Sequence, residues 1–299
     1  MPREEGSKPA VDAVIVIPFA NHELPLVLDT LQSIDRFVEE PHHVIAVDDC
    51  TRDHVDDELR RLRPDVTVLR NERPHGGRSG LYVTLASACK AALDGLSFRV
   101  LLKMDTDALM VGRGLVTQAI RAFEEYPRAG ILGSYHVRAD GERRDWTKWK
   151  MAFWYESFPL RPLWGRTPLW RDPIRLARRR PYDLGENVLG GAYVVRRDCL
   201  EAMRSAGLLD YRYEAVLRES RMGEDVIMSL MCKAAGYDLL DFGTPEHSMA
   251  LALAELPLPK EEIVRQGKTI VHSVKRGRDG ESQEELRAFF RAHARRGPS

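Results

Sequence analysis

Four short apolar runs punctuate the first 135 residues: 13–18 (AVIVIP), 43–47 (HVIAV), 66–70 (VTVLR) and 99–104 (RVLLKM). Their length and β-branched content predict buried strands. Between them, 24–39, 55–62 and 79–93 repeat apolar residues every three or four positions, the period of an amphipathic helix. This alternation predicts βαβ units in a mostly parallel sheet. Such sheets bind ligands beyond the carboxyl ends of their strands, so those loops are the first place to look for chemistry.

The pattern breaks over residues 138–180. All five tryptophans lie here (Trp146, Trp149, Trp154, Trp164, Trp170), with several prolines and a closing basic run, and neither a 2-residue nor a 3.6-residue period. Twelve basic residues face five acidic ones in this stretch, so in a chain of zero formal net charge the remainder is acidic. Regular patterning resumes at 192–195, a strand. Asp198 with Glu201 three residues on is a capping-box signal for a following helix. A helix over 225–235 should stop at Gly236, and 237–242 and 269–274 are further strand candidates. From Arg276 the chain is charged and poor in apolar residues, which predicts a frayed end or a surface helix.

The 299 residues are enough to bury roughly three quarters of the unfolded chain's surface in one large domain. The balance of 45 basic and 45 acidic residues argues against a duplex nucleic-acid partner. No apolar run approaches the ~18 residues of a membrane span, and the first nine residues lack a signal-peptide core. Four scattered cysteines (Cys50, Cys89, Cys199, Cys232) form no zinc motif and suit a reducing cytosol. The expected localisation is therefore cytoplasmic, with peripheral placement at a membrane surface as a further reading.

The sharpest chemical signal is Lys103-Met104-Asp105-Thr106-Asp107, where a strand runs into two carboxylates. In an extended segment, side chains at i and i+2 converge, and two hard oxygen ligands with open positions suit Mg²⁺ or Mn²⁺ shared with substrate phosphates. The plain alternative is a pair of solvated turn aspartates. Asp48-Asp49 end the second strand, where a carboxylate can accept hydrogen bonds from a base or ribose, or else cap the next helix. Gly223-Glu224-Asp225 opens a helix; a carboxylate there can take a proton from an acceptor hydroxyl, or simply be an acidic first turn.

In order along the chain, Pro18-Phe19-Ala20-Asn21, Val47-Asp48-Asp49, Asp105-Thr106-Asp107, Gly190-Gly191-Ala192 and Glu224-Asp225 resemble the landmarks of glycosyltransferase family 2 over roughly residues 12–245. The resemblance implies an α/β, GT-A-like fold with a mixed, mostly parallel sheet, and a nucleotide-sugar donor, a UDP-sugar favoured. Carried over by position, Pro18, Asn21 and Asp49 lie at the nucleoside end and Arg78 contacts the nucleotide. Asp107 holds the metal (Mn²⁺ or Mg²⁺), and Asp105 the ribose or the metal. Gly190 and Gly191 admit the donor sugar. Asp225 is the general base of an inverting transfer and Glu224 orients the acceptor. Ala20 replaces the family's aromatic, and Cys50 stands where glycine or asparagine is usual. No Q-x-x-R-W follows Glu224-Asp225, which disfavours processive synthesis and leaves single-sugar transfer.

His272 and His247 compete as a third metal ligand, with His272 preferred. The Trp- and Arg-rich segment 146–180 admits three readings. It is an acceptor wall that is mobile until donor and metal bind, an element lying on an anionic membrane surface, or an extra packing layer or dimer contact. The acceptor is a small molecule, a glycan or a lipid-linked group. The expected organisation is a flexible 1–11, a transferase domain 12–275 (nucleotide half 12–135, acceptor half 136–275) and a charged tail 276–299. A retaining GT-A transferase and a non-catalytic nucleotide- or glycan-binding protein are the rival functions. A same-fold nucleotidyltransferase would want a Gly- and Arg-rich loop after the first strand, which 19–24 (FANHEL) does not supply.

Overall fold

The computed structural model describes residues 8–296. In chain order, the first half holds β1 (Ala13–Phe19), α1 (Leu24–Phe37), β2 (His42–Asp48), α2 (Val55–Leu62), β3 (Thr67–Arg70), α3 (Ser79–Gly95), β4 (Val100–Met104), β5 (Leu109–Met110), α4 (Leu115–Glu125) and β6 (Ala129–Gly133). There follow α5 (Thr147–Glu156), a 3₁₀ turn (Arg161–Trp164), α6 (Arg171–Ala177), β7 (Ala192–Arg196), α7 (Arg197–Ser205), α8 (Tyr213–Glu219) and α9 (Glu224–Ala234). The chain closes with β8 (Asp238–Asp241), β9 (Met249–Leu251), α10 (Lys260–Arg265), β10 (Ile270–His272) and α11 (Gln283–Arg296).

Seven strands form one sheet in the order β3-β2-β1-β4-β7-β6-β8. All pairings are parallel except those of β7, which is antiparallel to both β4 and β6. The α/β, mostly parallel sheet expected from the pattern is present. β1 is buried throughout because both sheet faces are covered. Its alternate residues divide between two cores: Val14 and Val16 belong to the one that includes α3, α7 and α9, whereas Ala13, Ile15, Ile17 and Phe19 belong to the one that includes α1 and α4.

This topology places the site. The parallel strands β1, β2 and β4 end on one edge, which carries Ala20–Asn21, Asp49 and 105–107. Because β7 runs the other way, Ala192 pairs with Met104, and Gly190–Gly191 enter from the same edge. A second sheet, β5-β10-β9, closes the region from the side and brings in His272.

Several expectations are corrected. Asp198 does not cap α7: the cap is Arg196, with no side-chain bond, and Glu201 pairs with Arg197 at 2.7 Å instead. The segment 146–180 is not irregular throughout, because α5 and α6 form within it around buried Phe153, Glu156, Arg161 and Trp170. Of the two readings of the charged end, the helix is found over α11, and it is docked through Leu286 and Phe290 onto Leu109, Val111, Ala250 and Val271. The expected stop of α9 is present, with Gly236 just past its end at φ +92°, a value that favours glycine. Of the expected flexible stretch 1–11, residues 1–7 lie outside the described residues; Val11 donates to Ser97 O at 2.8 Å. Among the described residues no helix is long and apolar enough to cross a membrane.

Candidate active site

Asp105 and Asp107 converge, though not as neighbours in an extended strand. The chain turns immediately after β4, with Ala108 N donating to Asp105 O at 3.0 Å, and Asp105 N donating to Gly191 O at 2.8 Å. The turn points both carboxylates at His272. Its Nε2 lies 3.2 Å from Asp107 Oδ2 and 3.9 Å from Asp105 Oδ2. These three residues form a group whose ligand atoms lie within 4.8 Å of one another. His247 is elsewhere, its Nδ1 2.6 Å from Thr244 Oγ1.

The donor set suits a hard divalent cation. His272 Nδ1 sits 2.7 Å from the Ala252 carbonyl oxygen, which only accepts, so Nδ1 carries the proton. In the neutral ring, Nε2 then turns a lone pair toward the Asp107 carboxylate, and a cation bound to both resolves that contact. Ser273 Oγ donates to Asp107 Oδ2 at 2.7 Å, and Lys275 Nζ lies 3.1 Å from the same oxygen. Burial pushes the Asp107 carboxyl up, but His272 in its protonated form, with Ser273 and Lys275, outweighs it and holds the group far below the ordinary carboxylate range. Asp107 is therefore an anion at any working pH.

A cleft of about 350 Å³ opens in front of this cluster, lined among others by Pro18, Asp49, Gly77, Asp105, Asp107 and Lys275. Asp49 borders it but is already engaged. Its Oδ1 accepts from Asn71 Nδ2 and His75 N, and its Oδ2 from Gly76 N, so it also fixes the loop ahead of α3. Asn21 accepts from Arg52 N at 2.9 Å and ties the β1 and β2 loops together outside the cleft lining. Arg78 is exposed at the start of α3 and is not part of the lining either.

Asp225 lies in the first turn of α9. Its Oδ2 accepts from Gly190 N at 3.0 Å and Asn187 Nδ2 at 3.3 Å, and Oδ1 from Val226 N at 2.9 Å. Burial raises its carboxyl above the ordinary range, with Arg144 and these backbone bonds opposing. At Gly190 a Cβ would stand 3.3 Å from Asp225 Oδ2, a tight approach that the carboxylate would have to yield to by a few tenths of an ångström. Gly191 has a tighter demand. It sits at φ +92°, and a Cβ would lie 2.3 Å from the His272 ring. The two glycines thus admit the site's own carboxylate and imidazole.

Sequence reasoning passed over Lys103. Fully buried near the end of β4, it bridges Asp105 Oδ1 at 2.7 Å and Glu224 Oε1 at 2.9 Å, linking the turn after β4 to the start of α9. Burial works against its charge, but Asp105 and Glu224 more than compensate and keep it protonated. Burial raises Glu224 to about 7 against the pull of Lys103. A lysine closing an otherwise apolar strand was the available signal. Arg144, lowered to about 10 by burial, donates to Ser134 O and Asn187 O and helps set the loop that holds Asp225.

The family model described as glycosyl transferase family 2 matches residues 14–202, well over half of the chain. The chain belongs to glycosyl transferase family 2. The match spans β1 through most of α7, so it takes in the cleft, the Asp105–Asp107 turn and Gly190–Gly191, while Asp225 and His272 lie beyond it. No curated protein matches the sequence. Among solved structures, the mannosyltransferase PcManGT from Pyrobaculum calidifontis, in complex with GDP-Man and Mn²⁺, is 17% identical, with a TM-score of 0.45, over 79% of this chain and 56% of its own. S. aureus TarS 1–349 is 14% identical, TM-score 0.44, over 78% of this chain and 58% of its own. The family 2 chain thus spans little more than half the length of these solved proteins.

Proposed function

We propose that this family 2 chain transfers one glycosyl unit from a nucleoside-diphosphate sugar, a UDP-sugar favoured, to an acceptor hydroxyl with inversion. The observation that carries this reading is that Asp105 and Asp107 line the cleft and converge with His272, while Lys103 joins Asp105 to Glu224, the neighbour of Asp225. The nucleoside end lies toward Pro18 and Asp49, and Lys275, half in solvent beside Asp107, is free to turn to a diphosphate. Mn²⁺ or Mg²⁺ held by Asp105, Asp107 and His272 would neutralise charge on the departing diphosphate.

Asp225 takes the proton from the acceptor hydroxyl. Its burial and raised proton affinity make it a better base than an exposed aspartate. Glu224, locked to Lys103, acts by fixing the start of α9 rather than by meeting the acceptor itself. Calorimetric titration of UDP, with GDP, TDP and CMP as comparators, tests the donor side with and without Mn²⁺, in wild type and in Asp107→Ala. The expected result is binding that needs both the metal and Asp107. Equal affinity in all four combinations would sink the metal assignment.

A further inference from the structure

Nine large apolar side chains are exposed among the described residues, and six of them (Met151, Trp154, Tyr155, Leu160, Leu163, Trp164) fall within fourteen consecutive positions. Solvent reaches 75% of Leu163, 62% of Trp164 and 60% of Trp154. Large apolar surface gathered in this way marks an interaction site, whereas single exposed residues are ordinary. The side chains are ordered against one another: Phe158 meets Trp154 at a ring separation of 5.5 Å and stacks on Trp164 at 6.1 Å. Beneath them the platform is fixed. Phe153 and Trp170 are fully buried, and Glu156 accepts from Trp170 Nε1 at 2.7 Å and from Arg221 N at 2.9 Å.

Charge decides the occupant. Residues 147–171 present Lys148, Lys150, Arg166 and Arg171 to solvent, with Lys150 paired to Asp183, whereas Arg161 and Glu156 are both buried and engaged, Arg161 with Glu219. Lys148, Met151 and Tyr155 follow helical spacing along one side of α5, and Arg166 reaches the Tyr155 hydroxyl. Among the described residues, Lys148, Arg166 and Arg171 form no ion pair with a carboxylate. Two copies meeting through this face would set basic rim against basic rim, which a twofold contact penalises. Tryptophan, tyrosine and leucine bordered by lysine and arginine form the surface that sits at the boundary of a lipid headgroup layer.

We propose that this face of α5 and the following 3₁₀ turn docks on an anionic phospholipid bilayer, with the aromatic side chains in the interface and the basic rim on the headgroups. The docking stands independently of the transfer reading, since it uses no residue of the metal cluster or of Asp225. Through Glu156 and Arg221 the face is tied to the chain just ahead of Gly223-Glu224-Asp225, so a docked molecule would present its acceptor side close to the bilayer.

Vesicle co-sedimentation of the full chain tests the proposal, using phosphatidylcholine alone or mixed with phosphatidylglycerol. The expected result is partitioning at least about tenfold stronger onto the anionic vesicles, weakened by salt. The combined variant Trp154→Ser, Leu163→Ser, Trp164→Ser should lose that binding while its melting temperature stays at the wild-type value. A second variant, Arg166→Glu with Arg171→Glu, leaves the apolar face intact and should lose the preference for anionic lipid. Absence of wild-type binding to anionic vesicles, or undiminished binding by both variants, overturns the proposal. So does a wild-type dimer that the triple variant dissociates without any vesicle binding, which would assign the face to self-association.

Discussion

Asp225 has hydrogen bonds on both carboxylate oxygens, and an asparagine in its place keeps the shape and can still accept from Gly190 N through its carbonyl oxygen. Asp225→Asn should therefore leave nucleoside-diphosphate affinity nearly unchanged and slow transfer about a hundredfold or more, the usual effect of removing a general base. Single-turnover transfer beside calorimetric donor binding checks it; near-normal turnover would take Asp225 out of the role. Gly191 makes a second prediction. With 2.3 Å to the His272 ring and a positive φ, Gly191→Ala must displace the imidazole, so Mn²⁺-dependent nucleotide binding should weaken at least about tenfold while metal-independent binding persists. Glu224 supplies a pH signature. Burial raises its carboxyl from 4.5 to about 7, so between those values the folded protein keeps a proton that the unfolded chain has released. Stability contributed by this group is complete at the acid end and is lost as pH rises through the window, at up to about 1.4 kcal/mol per pH unit. Urea unfolding across that range should show a shallower fall for Glu224→Gln than for wild type, and parallel profiles would contradict the assignment.

At the scale of elements, what the sequence reveals depends on how an element buries its residues. β1 and β2 were legible because central strands are apolar on both faces, and α2 because its polar and apolar sides are cleanly divided. The helices α5 and α6 were not. In α5, Phe153 is buried but Met151, Trp154 and Tyr155 face outward, so both sides look apolar and the helical period vanishes; α6 is only seven residues long, too short for a period to stand out. The strands β5, β9 and β10 are two or three residues long and owe their pairing to distant partners, which no local pattern reports. For that reason the preference for His272 over His247 rested on the local run 269–274 alone and not on its pairing, whereas the carboxylates of 105–107 stood out at a strand end. The same inward packing gives α5 and α6 a testable dependence on one side chain. Glu156→Ala strips the indole N–H of Trp170 and the backbone N–H of Arg221 of their acceptor; a buried orphaned donor such as the indole costs about 1–3 kcal/mol, and the partly buried Arg221 N–H costs less. A loss of about 2–4 kcal/mol in urea unfolding is expected; a value near zero would mean the two helices hold together without this anchor.

The molecule as a whole joins distant sequence segments at the Asp105–Asp107 turn. Arg287, buried on α11, donates to the backbone carbonyl of Thr106, the residue between the two aspartates, and pairs with Asp29 of α1. Thr30 Oγ1 donates to the carbonyls of Thr106 and Ala108 on the same turn. The turn that aims Asp105 and Asp107 is thus held from outside the sheet by an element some 180 residues further along the chain. Arg287→Met should be costly on two counts. It leaves Asp29 with only the exposed Arg291 as a partner and Thr106 O without its guanidinium donor, and breaking a buried pair from one side typically costs about 3–5 kcal/mol. Beyond that loss, the loosened turn should bind Mn²⁺ and nucleoside diphosphate together severalfold more weakly, measured well below the variant's melting temperature so that only folded protein contributes. Asp29→Asn, which disturbs the pair but spares the bond to Thr106 O, should reproduce part of the stability loss and little of the binding loss. If both variants bind as wild type does, α11 serves the fold alone and the aim of the metal carboxylates is set within β4 and its turn.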